Sequence, residues 1–161
     1  MDRLLRARDG RISIKRLFGV ASMAIISLVV TGWAFLVFSP EFKERTLNIG
    51  FSRLQVEVAD NETTRTRGMM FRLVPNPSQG MLFVFPTVQP VCMWMKYTLV
   101  PLSVAFIRDN GSIANIADMN PLQLERHCAR EPVRFALEVS QGWFAATTVD
   151  TRTQITGLPR F

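Results

Sequence analysis

The chain has 161 residues, 48% of them apolar and 20% charged, a composition that fits one ordered domain and excludes a disordered or fibrous chain. Its net charge of +6 would suit a polyanionic partner, but that charge is unevenly placed. Residues 1–16 hold six basic side chains (Arg3, Arg6, Arg8, Arg11, Lys15, Arg16) against Asp2 and Asp9, leaving only +2 on the other 145 residues. A domain so nearly neutral lacks the positive field that nucleic acid requires.

In chain order, the first element is a run of 22 uncharged residues from Leu17 to Phe38. As a helix it would be roughly 33 Å long, enough to cross a hydrocarbon core of roughly 30 Å. Ser22, Ser27 and Thr31 are its only polar members, and Trp33, Phe35 and Phe38 lie toward its far end, where rings favour the interface. Pro40 discourages further helix. The near flank is basic and the far flank (Glu41, Lys43, Glu44, Arg45) is neutral, so the tail is expected in the cytoplasm and the rest outside. A cleaved signal peptide would need a shorter core and a small-x-small site, where this chain reads Ser-Pro-Glu-Phe. The segment Ile14 to Phe18 only weakly resembles a twin-arginine signal, with Lys15 in place of the first arginine. The expectation is therefore an uncleaved signal anchor over 17–38 in the inner membrane, with the lipid bilayer as partner. It is followed by a linker over 39–45 and a periplasmic or otherwise extracytoplasmic domain over 46–161.

Beyond the linker the pattern becomes strand-like. Leu54, Val56 and Val58 alternate with Gln55 and Glu57, which predicts a half-buried strand. Asp60-Asn61 can cap a short helix from about Glu62 to Phe71, and Pro75 and Pro77 then enforce a loop. Met81 to Phe85 is apolar on both faces and predicts a central, fully covered strand. Val91–Met95 and Ser103–Ile107 are further strand candidates. Asp109-Asn110-Gly111 is a hairpin turn leading into a strand near Ser112–Ala117. A polar stretch, Asn120–Glu131, precedes Val133–Val139, whose odd positions face one way and Arg134 and Glu138 the other. Gly142–Ala146 could form one helical turn. Seven or so short strands with one or two short helices predict a mainly β, partly closed barrel-like α+β domain.

In these elements the outer domain resembles a bacterial and archaeal family known only as domain of unknown function 192. The resemblance covers about residues 47–146. It rests on Arg67-Gly68-Met69-Met70, on Gly80-Met81-Leu82-Phe83-Val84-Phe85 and on Trp94-Met95-Lys96-Tyr97-Thr98-Leu99-Val100-Pro101-Leu102. It continues through Leu137-Glu138-Val139 and Gly142-Trp143. It implies a β-rich, often exported fold and no established activity. Two departures stand out. Tyr97 occupies a place where the family usually has Asn beside Thr98. The tail Thr147–Thr156 lacks the Gly-x-x-x-Gly-Asp-like turn expected to close the domain, so the last strand is expected to be frayed or differently paired.

Cys92 and Cys128 are the only cysteines, and two cysteines in an oxidising compartment favour a disulfide. An alternative gathers Cys92, His127 and Cys128 as soft metal ligands with Asp118 as a fourth, or as a thiol centre, although neither x₂₋₄ spacing nor a Cys-x-x-Cys motif supports it. His127 is the sole histidine, so any Ser-His or Cys-His catalysis must pass through it. A solvated loop position is its plainer reading, and a loop hydrogen bond is the plainer reading of Asp118. No nucleophile elbow, metalloprotease helix motif or phosphate-cradling loop is present, so no catalytic residue and no cofactor is assigned. On a strand, Trp94 and Lys96 would share one face and Met93, Met95 and Tyr97 the other. That run is either core plus a lysine stem packed on indole, or, with Arg67, the wall of a small pocket for an anionic or aromatic ligand. The leading expectation is a membrane-anchored binding or accessory module of the cell envelope, meeting a small ligand or an envelope protein.

Overall fold

A computed structural model describes residues 40–73 and 79–160. The expected cytoplasmic tail, the 17–38 anchor and the Pro75–Pro77 loop lie outside the described residues. Among the described residues no helix is long and apolar enough to cross a membrane. Pro40 opens a compact unit that runs to the C terminus.

The domain is mainly β. Its strands are β1 (Lys43–Ile49), β2 (Ser52–Ala59), β3 (Gln79–Gln89), β4 (Cys92–Met93), β5 (Leu102–Ile107), β6 (Ile113–Met119), β7 (His127–Cys128), β8 (Val133–Ser140) and β9 (Ile155–Thr156). Two short helices join them, α1 (Glu62–Arg67) between β2 and β3, and α2 (Trp143–Ala146) after β8. Seven strands form one sheet in the order β6-β5-β8-β3-β2-β1-β9, and β4 pairs with β7 separately. All neighbours in the large sheet run antiparallel except β2 and β3, which are parallel because α1 carries the chain back between them.

The sheet curls until its two edges meet. Ser112, at the start of β6, bridges to Gln154, just before β9. The Ile155 amide donates to the Gly111 carbonyl at 3.0 Å, and the Gln154 side-chain amide donates to the Asn110 carbonyl at 2.5 Å. Gly111 is required at this seam, since its φ is +86° and a Cβ there would lie 2.4 Å from the Ile155 carbonyl oxygen. Of the two expectations for the C-terminal strand, frayed or differently paired, fraying does not hold: the strand is paired on β1, whose edge offers unpaired backbone groups.

The chain also enters the sheet earlier than its composition indicated. Lys43–Arg45 fall in the expected linker but begin β1, where they pair with Val56–Val58 of β2. Their exposed, charged side chains carry no alternation, while the hydrogen-bond ladder extends regardless. At β3, Pro86 has no amide to donate, and the pairing with β8 shifts register between Val84 and Gln89. This moves Val133 from the inner face, where alternation put it, to the outer one. Phe135, Leu137 and Val139 remain inside.

The curled sheet has two apolar faces. The concave side encloses Leu47, Leu54, Val56, Leu82, Ile107 and Phe135 with their neighbours, closed at one end by Phe144 of α2 and Val149. The convex side of β3, β5 and β8 is covered by α1 and by the chain around β4 and β7. Met69, Val91, Met95 and Val100 pack there against Met81, Phe83 and Phe106. Two-sided burial of β3 matches the unbroken apolar run that its sequence shows.

A candidate binding site between the convex face and its cover

Helix α1 starts at an Asn61 cap whose side chain accepts from the Thr64 amide at 3.0 Å, while the Thr64 hydroxyl accepts from the Asn61 amide at 3.2 Å. It ends sooner than the expected Phe71. Gly68 at φ +45° stops it, and the chain turns again at Phe71, φ +64°. Arg65 clamps the helix to the sheet by donating to the Asp60 carbonyl at 2.8 Å and the Val84 carbonyl at 2.9 Å.

The other half of the cover depends on the Cys92–Cys128 disulfide, which joins directly paired residues of β4 and β7 across a sequence separation of 36. Closing so long a loop is worth up to about 4 kcal/mol in the chain-entropy model. Buried Asn115 on β6 fastens this layer from the other side, donating to the Cys128 carbonyl at 3.2 Å and accepting from the Arg130 amide at 3.0 Å.

Between helix and disulfide lies a hollow of about 230 Å³, its walls including Arg67, Met69, Phe83, Met93, Trp94 and Thr98. Glu138 of β8 forms its floor. It sits in register with Met81 on one side and Val104 on the other, and its side chain is buried. Among the described residues no hydrogen-bond donor meets its carboxyl group. The charge that acts on it is that of Arg72, already ion-paired with Glu57. Burial pushes the Glu138 carboxyl up to about 8, with Arg72 pulling the other way. At neutral pH it is mostly protonated, so it presents one O–H donor and one carbonyl acceptor to the hollow.

Of the three residues expected to form a pocket, Arg67 and Trp94 line this hollow and Lys96 does not. The expected strand Val91–Met95 shrinks to Cys92–Met93, and residues 94–98 turn instead of extending. Lys96 still packs on Trp94, its Nζ 5.3 Å from the ring centre, and also 5.1 Å from that of Tyr97. Tyr97 does not share a face with buried Met95, because its φ of +57° turns it outward. That angle also gives a physical account of the departure at this position. Asn tolerates the left-handed region, whereas Tyr is strained there. Here the Tyr97 ring stacks on Phe71 at 5.4 Å, and the Phe71 amide donates to the Tyr97 carbonyl at 2.9 Å.

The remaining candidates lie elsewhere. Both cysteine sulfurs are spent in the disulfide, so a thiol or metal role for Cys92 and Cys128 would require its reduction. His127 is partly buried on β7 opposite Met93, not solvated, and its Nε2 is buried without a hydrogen-bond partner. Asp118 accepts from the Ser103 hydroxyl of the adjacent strand at 2.5 Å and borders a different hollow, near α2. Its partner is a side chain and not the loop backbone. No group of three His, Cys, Asp or Glu residues gathers as a metal site among the described residues.

By side-chain type the sequence points to Trp94, Lys96 and Arg67, whereas Glu138 stands in it as a polar position opposite an apolar face and as part of the Leu137-Glu138-Val139 motif. Glu138 is buried because β8 pairs with Met81–Phe85, a strand apolar on both sides, and no pattern within β8 announces that neighbour.

A small β-rich domain whose curled sheet holds a buried carboxyl beneath a disulfide-fastened cover defines the structural class. The chain belongs to the domain of unknown function 192 family, described as an uncharacterized group, whose model matches residues 45–157. A crystal structure of a "putative transcription regulator" from Sinorhizobium meliloti 1021 is similar at 30% identity and a TM-score of 0.71, covering 74% of this chain and 97% of that one. A protein of unknown function from Novosphingobium aromaticivorans DSM 12444 shares the fold at 22% identity and a TM-score of 0.67, over 71% of this chain and 86% of that one. No curated protein matches the chain.

Proposed function

We propose that the protein is a membrane-tethered binding module of the cell envelope, anchored by residues 17–38 with its N terminus in the cytoplasm and its β domain outside. The charge asymmetry around the uncharged run supports that orientation, and a disulfide fits an oxidising compartment. The name of the Sinorhizobium relative suggests nucleic acid, but the near balance of charge beyond residue 16 argues against that here.

The binding site is the hollow over Glu138. Its floor is the observation that carries this reading: a buried carboxyl without a donor is costly, and a ligand that supplies one offsets the cost. The walls combine aromatic rings and thioethers with the polar side chains of Arg65, Arg67 and Thr98, and the volume is below the usual range of drug-sized sites. The fitting ligand is thus a small, largely aromatic or apolar molecule with one polar group for Glu138. A carboxylate ligand fits less well than a carboxamide, since it can accept from the Glu138 O–H but has no donor for the Glu138 carbonyl, and its charge must leave water.

Benzamide, benzoate and toluene test this, because they share a ring and differ in the polar group. Binding to the purified full-length Trp33→Phe/Trp143→Phe protein in detergent is followed through the emission of Trp94, its one remaining tryptophan. Saturable binding of benzamide in preference to the other two is expected, and the Glu138→Leu protein should lose that preference. Equal binding of all three by both proteins would sink the assignment.

A further inference from the structure

Seven of the nine exposed large apolar side chains among the described residues fall in three short segments, 71–73, 94–99 and 122–124. Hydrogen bonds bring the segments together: Phe71 amide to Tyr97 carbonyl at 2.9 Å, Met95 amide to Gln123 carbonyl at 3.0 Å, and Leu122 amide to Thr98 carbonyl at 3.0 Å. Phe71, Tyr97 and Leu122 are three of the four non-glycine residues with positive φ among the described residues. Backbone strain is thus concentrated where it turns apolar side chains toward solvent, the reverse of what stability alone would select.

The three segments contain Lys96 and Arg72, the latter ion-paired with Glu57, but neither Asp nor Glu, while Glu62 borders the hollow that Phe71 lines. Lys96 lies against Trp94 and Tyr97, and the Arg67 guanidinium is 5.1 Å from the Phe71 ring centre. Rings and long cationic stems held side by side are the composition of a membrane–water interface.

The path of the chain selects the occupant. Pro40 lines one hollow with Arg67, Met70 and Phe71, so the domain begins beside this face. The uncharged run ends at Phe38, two residues earlier. Two residues of chain span at most about 7 Å.

We propose that the face formed by residues 71–73, 94–99 and 122–124 lies on the bilayer that the 17–38 segment enters. This rests on the anchor reading above. The mouth of the Glu138 hollow, bordered by Trp94, then opens at the headgroup layer.

The experiment uses the full-length chain in vesicles of phosphatidylcholine and phosphatidylglycerol with bromine on the acyl chains near the headgroup. The difference in emission between Trp33→Phe and Trp33→Phe/Trp94→Phe isolates Trp94. The difference between Trp94→Phe and Trp33→Phe/Trp94→Phe reports Trp33 in the run itself, since Trp143 is common to both. Docking predicts about twofold quenching of Trp94, as for a ring at interface depth. The pair Leu122→Asp and Leu124→Asp, both on exposed side chains, should abolish it while leaving Trp33 quenched and the circular dichroism unchanged. Quenched Trp33 with unquenched Trp94 overturns the docking and leaves the anchor standing. If Trp94 is then also shielded from acrylamide, a protein covers the face instead. If neither ring is quenched, anchor and docking fall together.

Discussion

The two faces of the curled sheet are built from similar residues but end in different states. The concave face is filled by aliphatic and aromatic side chains, and its two edges meet at Ser112 and Gln154. The convex face is covered by a six-residue helix, a two-stranded ribbon and turns, which are too small to fill it. What they leave is a hollow with a carboxyl at its base and an apolar rim facing outward. The lesson is that one sheet can divide labour between its faces. The filled side supplies stability, which lets the other side keep a polar group unpaired and several residues strained.

Truncation inside the barrel should break the domain most directly. Phe135 is 1% exposed on the concave face, and Phe135→Ala is expected to cost about 3–5 kcal/mol in a urea titration. Leu124→Ala, on the outer rim at 66% exposure, should stay within about 0.5 kcal/mol. Similar losses at both positions would mean that the rim is packed and that the two faces do not differ as described.

The next effect is set by pH. Glu138 titrates near 4.5 when unfolded and at about 8 when folded, so the native state holds the extra proton between those values. Its contribution to stability is complete below the lower value and is lost as pH rises toward the upper one. The slope should approach about 1.4 kcal/mol per pH unit at most. Glu138→Gln should remove that slope and gain on the wild type as pH rises. Unfolding curves taken from pH 5 to pH 8 check this, and parallel curves for the two proteins would show that Glu138 is solvated or paired.

The smallest effect sharpens the comparison at the rim. Tyr97→Asn relieves left-handed strain of about 1 kcal/mol but gives up the stack on Phe71, worth a similar amount. Stability should therefore hardly change, while Trp94 quenching in brominated vesicles should weaken. A large loss of stability would make Tyr97 a packing residue instead of a surface one.

Several features were legible in the residues because they depend on local chemistry. The Asn61 cap, the hairpin at Asn110-Gly111, the doubly covered strand at Met81–Phe85 and the Cys92–Cys128 pair all follow from single side chains or short patterns. The motif run from Arg67 to Trp143 also carried the family. The candidate site was only half legible. Arg67 and Trp94 stood out by type, whereas Glu138 looked like an ordinary solvent-facing position in an alternating strand.

By itself the sequence determined the mainly β class, the order of the main elements, the disulfide and the family, because periodicity, turn residues and cysteine number are properties of the chain. Only the tertiary structure decided that β1 starts at Lys43, that β9 closes the sheet, that the register slips at Pro86 and that Lys96 lies outside the hollow. It also decided that Glu138 is buried. The physical reason is the same in each case. Edge pairing, register shifts and burial depend on which distant segment arrives opposite a residue, and no local pattern encodes that partner.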